Sequence, residues 1–231
     1  QFTIKNFYYI SYGLPKFGTF QFNDNSTMSI VDIKNTTVTY SGTNSNDVIN
    51  VPYSSYIGST IVNGGDGADT ITSYGSNDVI DGGKNDDVIN SGDGDDIITG
   101  GQGNDNLAGG SGSDAYLFNP GDGFDTITEF DAYYVADNNK LVFGAGITKN
   151  NLIFSLTGND LIIRFSNNAN DRVTIKDFYY THNNWPKLST FQFNDNTAMS
   201  VSEINAAVIP SASPPNSNTV YTFNVGSGSY S

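Results

Sequence analysis

Seven aspartates recur in phase: Asp69, Asp78, Asp87, Asp96, Asp105 and Asp114 stand nine residues apart, and Asp125 follows after a further eleven. Carboxylates at a fixed spacing offer oxygen ligands and little else. With no cysteine in the chain and a single histidine, neither thiolate nor paired-imidazole chemistry is available. Between Gly64 and Thr128 lie 13 aspartates against one cation, Lys84. So dense an array repels itself unless a counterion is held among the carboxylates.

The elements that would position these groups are visible in the same period. The units read GGDGADTIT (64–72), SYGSNDVID (73–81), GGKNDDVIN (82–90), SGDGDDIIT (91–99), GGQGNDNLA (100–108), GGSGSDAYL (109–117) and PGDGFDTIT (120–128), with Phe118 and Asn119 inserted before the last. GTNSNDVIN (42–50) is a degenerate copy, and SYIGSTIVN (55–63) is a further candidate without the aspartate. Position six is aspartate and position eight apolar in all seven strong units. A disordered acidic tail has no reason to keep that phase. Six residues of Gly, Asn, Asp and Ser are turn chemistry, and the three that follow suit a very short strand. Turn and strand repeated every nine residues wind a parallel β-helix with two units per coil. Units eighteen residues apart then stack, which is expected to place Asp69, Asp87 and Asp105 on one edge and Asp78, Asp96, Asp114 and Asp125 on the other. Carboxylates and carbonyls from successive turns make an all-oxygen cage. That cage suits calcium, which takes six to eight oxygens in flexible geometry, better than magnesium, zinc or copper.

The pattern GGxGxDxUx resembles the RTX calcium-binding repeat. The resemblance implies a calcium-bound parallel β-roll, export by type I secretion machinery and folding triggered by extracellular calcium. It also implies side-chain ligation by the position-six aspartates and carbonyl ligation from positions two and four. Here the latter are Gly65, Gly67, Gly83, Asn85, Gly92, Gly94, Gly101, Gly103, Gly110, Gly112, Gly121 and Gly123. Unit 73–81 departs from the pattern with Tyr74 and Ser76, which puts its positive-φ turn in doubt. Pairing stacked turns gives roughly five Ca²⁺ sites for such cages, with Asp47 offering a sixth. Thr60 stands where an aspartate would be, so the first coil is expected to bind weakly or not at all. About five Ca²⁺ would bring the formal charge from −14 to roughly −4.

The flanks repeat at a longer period. FTIKNFYY (2–9) matches VTIKDFYY (173–180) and FQFNDNSTMSIVDI (20–33) matches FQFNDNTAMSVSEI (191–204), both at an offset of 171 residues, as do Pro15-Lys16 and Pro186-Lys187. YTFNVGSG (221–228) echoes YLFNPGDG (116–123). The expected organisation is the end of a preceding unit or N-terminal cap (1–41), the calcium-binding roll (42–128), a β-rich capping domain (129–209), and a Pro/Ser linker with the start of a next unit (210–231). The chain thus reads as a piece of a long tandem protein whose neighbouring units are its partners. Residues 152–165 read as a hairpin, 172–179 and 189–195 as strands, and Ser200–Ala207 as a short helix with a Ser200–Glu203 capping box. DRVTIKDFYY and FQFNDN resemble the domain that follows RTX arrays in haemolysin-type proteins, which implies a cap on the open end of the roll. The fold class is all-β: a parallel β-roll flanked by small antiparallel elements and a short helix.

Composition bounds the partners. No apolar run approaches the length of a spanning helix, and a net charge of −14 argues against nucleic acid and anionic lipid. Tyr8-Tyr9, Tyr133-Tyr134, Tyr179-Tyr180 and Trp185 offer either a carbohydrate platform or cross-strand packing. His182 reads as a solvated loop residue. Asp66, Asp86, Asp93, Asp95 and Asp122, off position six, read as exposed charges, and Asp160 and Asp171 as turn residues. No nucleophile elbow, P-loop or carboxylate pair is visible. The function expected is a non-catalytic calcium-binding module, secreted from a bacterium or held at its cell surface. The alternatives are a calcium-dependent adhesin module with a glycan or protein ligand, and an accessory domain of a larger toxin or hydrolase.

Overall fold

The computed structural model describes residues 19–21, 27–29, 37–51, 58–129, 137–179 and 187–208. Tyr8-Tyr9, Tyr133-Tyr134, Tyr180, His182, Trp185, Pro186 and the 210–218 linker lie outside the described residues. Its strands are β1 (Thr19–Gln21), β2 (Thr27–Ser29), β3 (Val38–Ser41), β4 (Val48–Asn50), β5 (Thr60–Asp66), β6 (Thr70–Thr72), β7 (Val79–Lys84), β8 (Val88–Asp93), β9 (Ile97–Gln102), β10 (Asn106–Ser111), β11 (Ala115–Phe118), β12 (Phe124–Ile127), β13 (Lys140–Phe143), β14 (Leu152–Thr157), β15 (Asp160–Phe165), β16 (Asn168–Ile175), β17 (Thr190–Gln192) and β18 (Ala198–Ser200), followed by helix α1 (Val201–Ala207).

From β3 to β13 successive strands alternate between two sheets. One runs β3-β5-β7-β9-β11-β13-β17 in parallel and ends on antiparallel β18; the other runs β4-β6-β8-β10-β12-β16 in parallel and ends on the antiparallel β15-β14 hairpin. This is a β-solenoid with two nonapeptides per coil. Strands β7 to β10 are six residues long, because each continues from its β-branched centre through the small residues that open the next unit. Position eight points inward throughout. Ile71, Ile89, Leu107, Ile127 and Ile175 stack on one wall, facing Val62, Ile80, Ile98, Tyr116, Leu141 and Phe191 on the other, all buried.

Towards the C-terminal end the aliphatic core becomes aromatic. Phe118 stacks on Phe165 at 5.3 Å, Phe143 stacks on Phe193 at 5.3 Å, and Phe165 meets Phe143 edge-on. The capping segment continues the coil, since β13, β16 and β17 prolong both sheets in parallel register before β14, β15 and β18 turn back. Helix α1 starts on Ser200, whose hydroxyl accepts the Glu203 N–H while the Glu203 carboxylate accepts the Ser200 N–H, completing the capping box. The long-period repeat is structural as well: β1–β2 pairs Thr19 with Ser29, as β17–β18 pairs Thr190 with Ser200.

Candidate metal centre

Each position-six aspartate turns its side chain into the coil and is buried. One oxygen closes a ladder. Asp87 Oδ1 accepts the Asp69 N–H at 2.7 Å, Asp105 Oδ1 that of Asp87 at 2.8 Å, and Asp125 Oδ1 that of Asp105 at 3.1 Å. On the opposite edge Asp96 Oδ1 accepts from Asp78 at 2.7 Å and Asp114 Oδ1 from Asp96 at 2.9 Å. Asp125 therefore stands on the Asp69 edge, not with Asp78 as expected. The inserted Phe118 and Asn119 lengthen the connection without adding a unit, so strict alternation returns the seventh unit to the first edge.

The second oxygen is what a cation would need. Oδ2 of Asp69, Asp87, Asp96, Asp105 and Asp114 is buried with no hydrogen-bond partner, an arrangement that costs several kcal/mol per bare charge. Small residues leave room beside it. The point where a Gly82 Cβ would stand is 2.4 Å from Asp87 Oδ2 and 2.5 Å from the Gly100 carbonyl oxygen; at Gly64 the neighbours are Asp69 Oδ2 at 2.5 Å and the Gly82 oxygen at 2.3 Å. Among the described residues no three acidic or imidazole side chains converge on one point, so a cage here is completed by carbonyl oxygens. A hard cation that accepts neutral oxygens fits such a site.

Two of the aspartates are satisfied by the protein instead. Asp78 Oδ1 accepts the N–H and hydroxyl of Thr60, and its Oδ2 accepts the Ser73 hydroxyl. Asp47 Oδ2 accepts the Thr43 N–H at 2.6 Å and the Thr43 hydroxyl at 2.8 Å. In unit 73–81 the fourth position keeps its left-handed turn through Ser76 at φ 81°, and Asn85 does the same at φ 73° in the next unit. Tyr74 has no such conformation, unlike its position-two counterparts Gly65, Gly83, Gly92, Gly101, Gly110 and Gly121. Gly67, Gly94, Gly112 and Gly123 are also left-handed, whereas Gly103 is not.

Burial pushes the carboxyls upward, with like charges on neighbouring turns adding to it: Asp87 and Asp114 to about 7, Asp96 and Asp105 to about 6, and Asp125 to about 8. Without a metal Asp125 tends to hold its proton at neutral pH, Asp87 and Asp114 titrate there, and Asp96 and Asp105 are mostly ionised.

Several contributors escaped the motif. Asn139 takes the place of an eighth aspartate: its Oδ1 accepts the Asp114 N–H at 2.8 Å, and its Nδ2 donates to the Lys187 carbonyl. The signal was Leu141, two residues on, in the apolar phase. Tyr116 reaches past the core so that its hydroxyl accepts the Gly109 N–H and donates to Glu129 Oε1, while Glu129 Oε2 is buried without a partner. Burial raises Glu129 to about 8. No periodicity pointed to it. Asp122 and Asp171, read as an exposed charge and a turn residue, are both buried. Asp122 Oδ2 accepts the Asn119 N–H, and Asp171 accepts the N–H groups of Gly121 and Gly123. They satisfy the last turn of the roll, where no further unit stacks. Asp86 and Asp95 are exposed as expected, yet each accepts the N–H of the position-five residue one coil on, Asn104 and Ser113. Tyr179 serves packing: its hydroxyl donates to Asn205 and its ring meets Phe178 edge-on at 4.8 Å.

No curated protein matches the chain. Residues 56–89 and 82–116 match the RTX calcium-binding nonapeptide repeat, and residues 160–203 match the haemolysin-type calcium binding protein related domain. The chain thus carries RTX calcium-binding nonapeptide repeats wound into a β-roll, followed by a haemolysin-type calcium-binding related domain.

Proposed function

We propose that this segment is a non-catalytic calcium-binding module of a protein exported by a type I system, and that calcium outside the cell drives the roll to fold. The observation that carries this reading is the set of five buried Oδ2 atoms without partners, on Asp69, Asp87, Asp96, Asp105 and Asp114. One Ca²⁺ is assigned to each, with carbonyl ligands drawn from the position-two and position-four residues of the stacked turns. Asp78 and Asp47 are assigned none, because Ser73 and Thr43 already satisfy them. At the low calcium level of a cytosol the carboxylates repel one another and the chain stays competent for export. Calcium outside neutralises them and fixes the coil.

Far-UV circular dichroism in chelator, followed by titration with calcium or magnesium, tests the switch. A coil-to-β transition with calcium and none with magnesium is expected. A chain fully folded in excess chelator would refute the mechanism.

A further inference from the structure

Arg164 and Arg172 are the only two arginines in the chain, and they are register partners on the neighbouring antiparallel strands β15 and β16. Like charges directly opposite on a sheet are destabilising. Among the described residues neither has a carboxylate partner to offset this. The ion pairs among the described residues are Lys84–Asp66, Lys149–Glu203 and Lys176–Asp160. Arg164 Nη1 donates to Ser155 Oγ at 2.8 Å. Arg172 lies over the Phe124 ring, its Cζ 4.6 Å from the centroid, and its Nε is buried with no partner. The adjacent acid, Asp171, is engaged elsewhere, accepting from Gly121, Gly123 and Asn168.

The row of residues through this pair crosses four strands as Phe124, Arg172, Arg164 and Ile153. Phe124 is 38% and Ile153 41% exposed. Two residues along, the parallel row reads Thr126, Thr174, Ile162 and Ser155. No acid stands in either row. In a chain of net charge −14, whose aspartates crowd the two loop edges, this sheet face is a cationic island between apolar and hydroxyl-bearing side chains.

We propose that this face binds an acidic oligosaccharide. Its carboxylate or sulfate bridges the two guanidinium groups, which present planar forks suited to either anion. The sugar ring packs beside Phe124, and its hydroxyls meet Thr126 and Thr174. A nucleic acid is disfavoured, because two cations give little counterion release against so negative a chain. An acidic peptide offers the anion but makes no use of the hydroxyl row. The site lies off the aspartate edges and is independent of the calcium reading.

The test is isothermal titration calorimetry on the full chain in saturating calcium, with circular dichroism confirming that each variant is folded before ligand is added. The probes are a uronate oligosaccharide, a sulfated oligosaccharide, a neutral one of equal length, and a poly-aspartate peptide. Binding of at least one acidic sugar is expected, with the neutral sugar weaker by tenfold or more. The two acidic probes distinguish carboxylate from sulfate. Arg164→Gln and Arg172→Gln should each weaken binding by about tenfold, the range of a charge-assisted hydrogen bond. Arg164 is exposed and held only by Ser155, so its variant tests the face even if Arg172→Gln unfolds. The proposal is overturned if neither acidic sugar binds, if the neutral sugar binds equally, or if poly-aspartate binds at least as tightly. It is also overturned if acidic-sugar binding survives in the arginine variants unchanged, since calcium bridging at the aspartate edges would then explain it.

Discussion

At the scale of single residues, one position separates two kinds of aspartate. The position-six aspartate is buried, gives one oxygen to the ladder and in five of the seven strong units leaves the other without a partner, whereas the position-five aspartates Asp86 and Asp95 are exposed and tie coil to coil. Asp87→Asn keeps an acceptor for the Asp69 N–H but replaces the free oxygen by an amide donor, the same exchange that Asn139 makes at the end of its ladder. The variant should fold in calcium, lose one bound Ca²⁺ by native mass spectrometry, and need several-fold more calcium to reach its midpoint. Asp86→Asn should keep the full count; an equal loss in both variants would contradict the assignment of roles. The raised carboxyls set a pH dependence. A group whose pKa is higher in the folded chain stabilises it below the unfolded value near 4, and that contribution fades as pH rises through the folded values of about 6 to 8. In chelator, lowering the pH from 8 to 5 should therefore move the chain part of the way from coil towards β structure in far-UV circular dichroism. An unchanged or smaller β signal at pH 5 would show that protonating these carboxyls does not favour the roll. Spacing alone identified position six, but the division of its two oxygens was not legible, because it depends on the register between coils.

At the scale of the element, the turn is governed by how closely coils stack. Gly83 sits at φ 110°, and a Cβ there would lie 2.0 Å from the Gly65 carbonyl oxygen, a backbone atom that cannot step aside. Gly83→Ala thus adds a rarely populated conformation costing about 1–3 kcal/mol to a steric clash. In calcium its urea midpoint should fall clearly. Asn85→Gly, at φ 73°, relieves a left-handed residue and should be close to neutral. Comparable losses from both would mean that the turn tolerates side chains and that stacking is looser than described. The nine-residue period, two units per coil and the inward position eight were all legible, because turn chemistry and apolar phase repeat in the sequence. The length of β7 to β10 was not, since glycine-rich residues do not look like strand. Nor was the continuation of the sheets through β13, β16 and β17, where only apolar residues such as Leu141, Ile175 and Phe191 keep the phase.

At the scale of the whole molecule, the roll has a narrow aliphatic core and two parallel sheets whose last edges need cover. Without β13 to β18, the outer edges of β11 and β12 would present unpaired N–H and C=O groups, an invitation to association. Phe118, stacked on Phe165 across that boundary, would lose its partner. Asp122 and Asp125 would lose the β16 strand that helps to bury them, and Gly121 and Gly123 the carboxylate of Asp171. If calcium fixes the coils as proposed, the segment after Glu129 is expected to hold the end of the roll in a foldable state. A chain ending after Glu129 keeps all seven strong repeats and every cage aspartate, so a purely local, repeat-by-repeat mechanism expects its calcium titration to match that of the full chain. If the cap nucleates the coil, the truncated chain should fold at higher calcium, with a shallower transition in far-UV circular dichroism and a tendency to self-associate in analytical ultracentrifugation. Ending the chain after Ile175 instead should recover part of the effect. That longer chain restores β13 to β16, which completes one sheet and extends the other by β13, while β17 and β18 are still missing. Identical titrations for all three chains would show that the repeats fold without help from the cap.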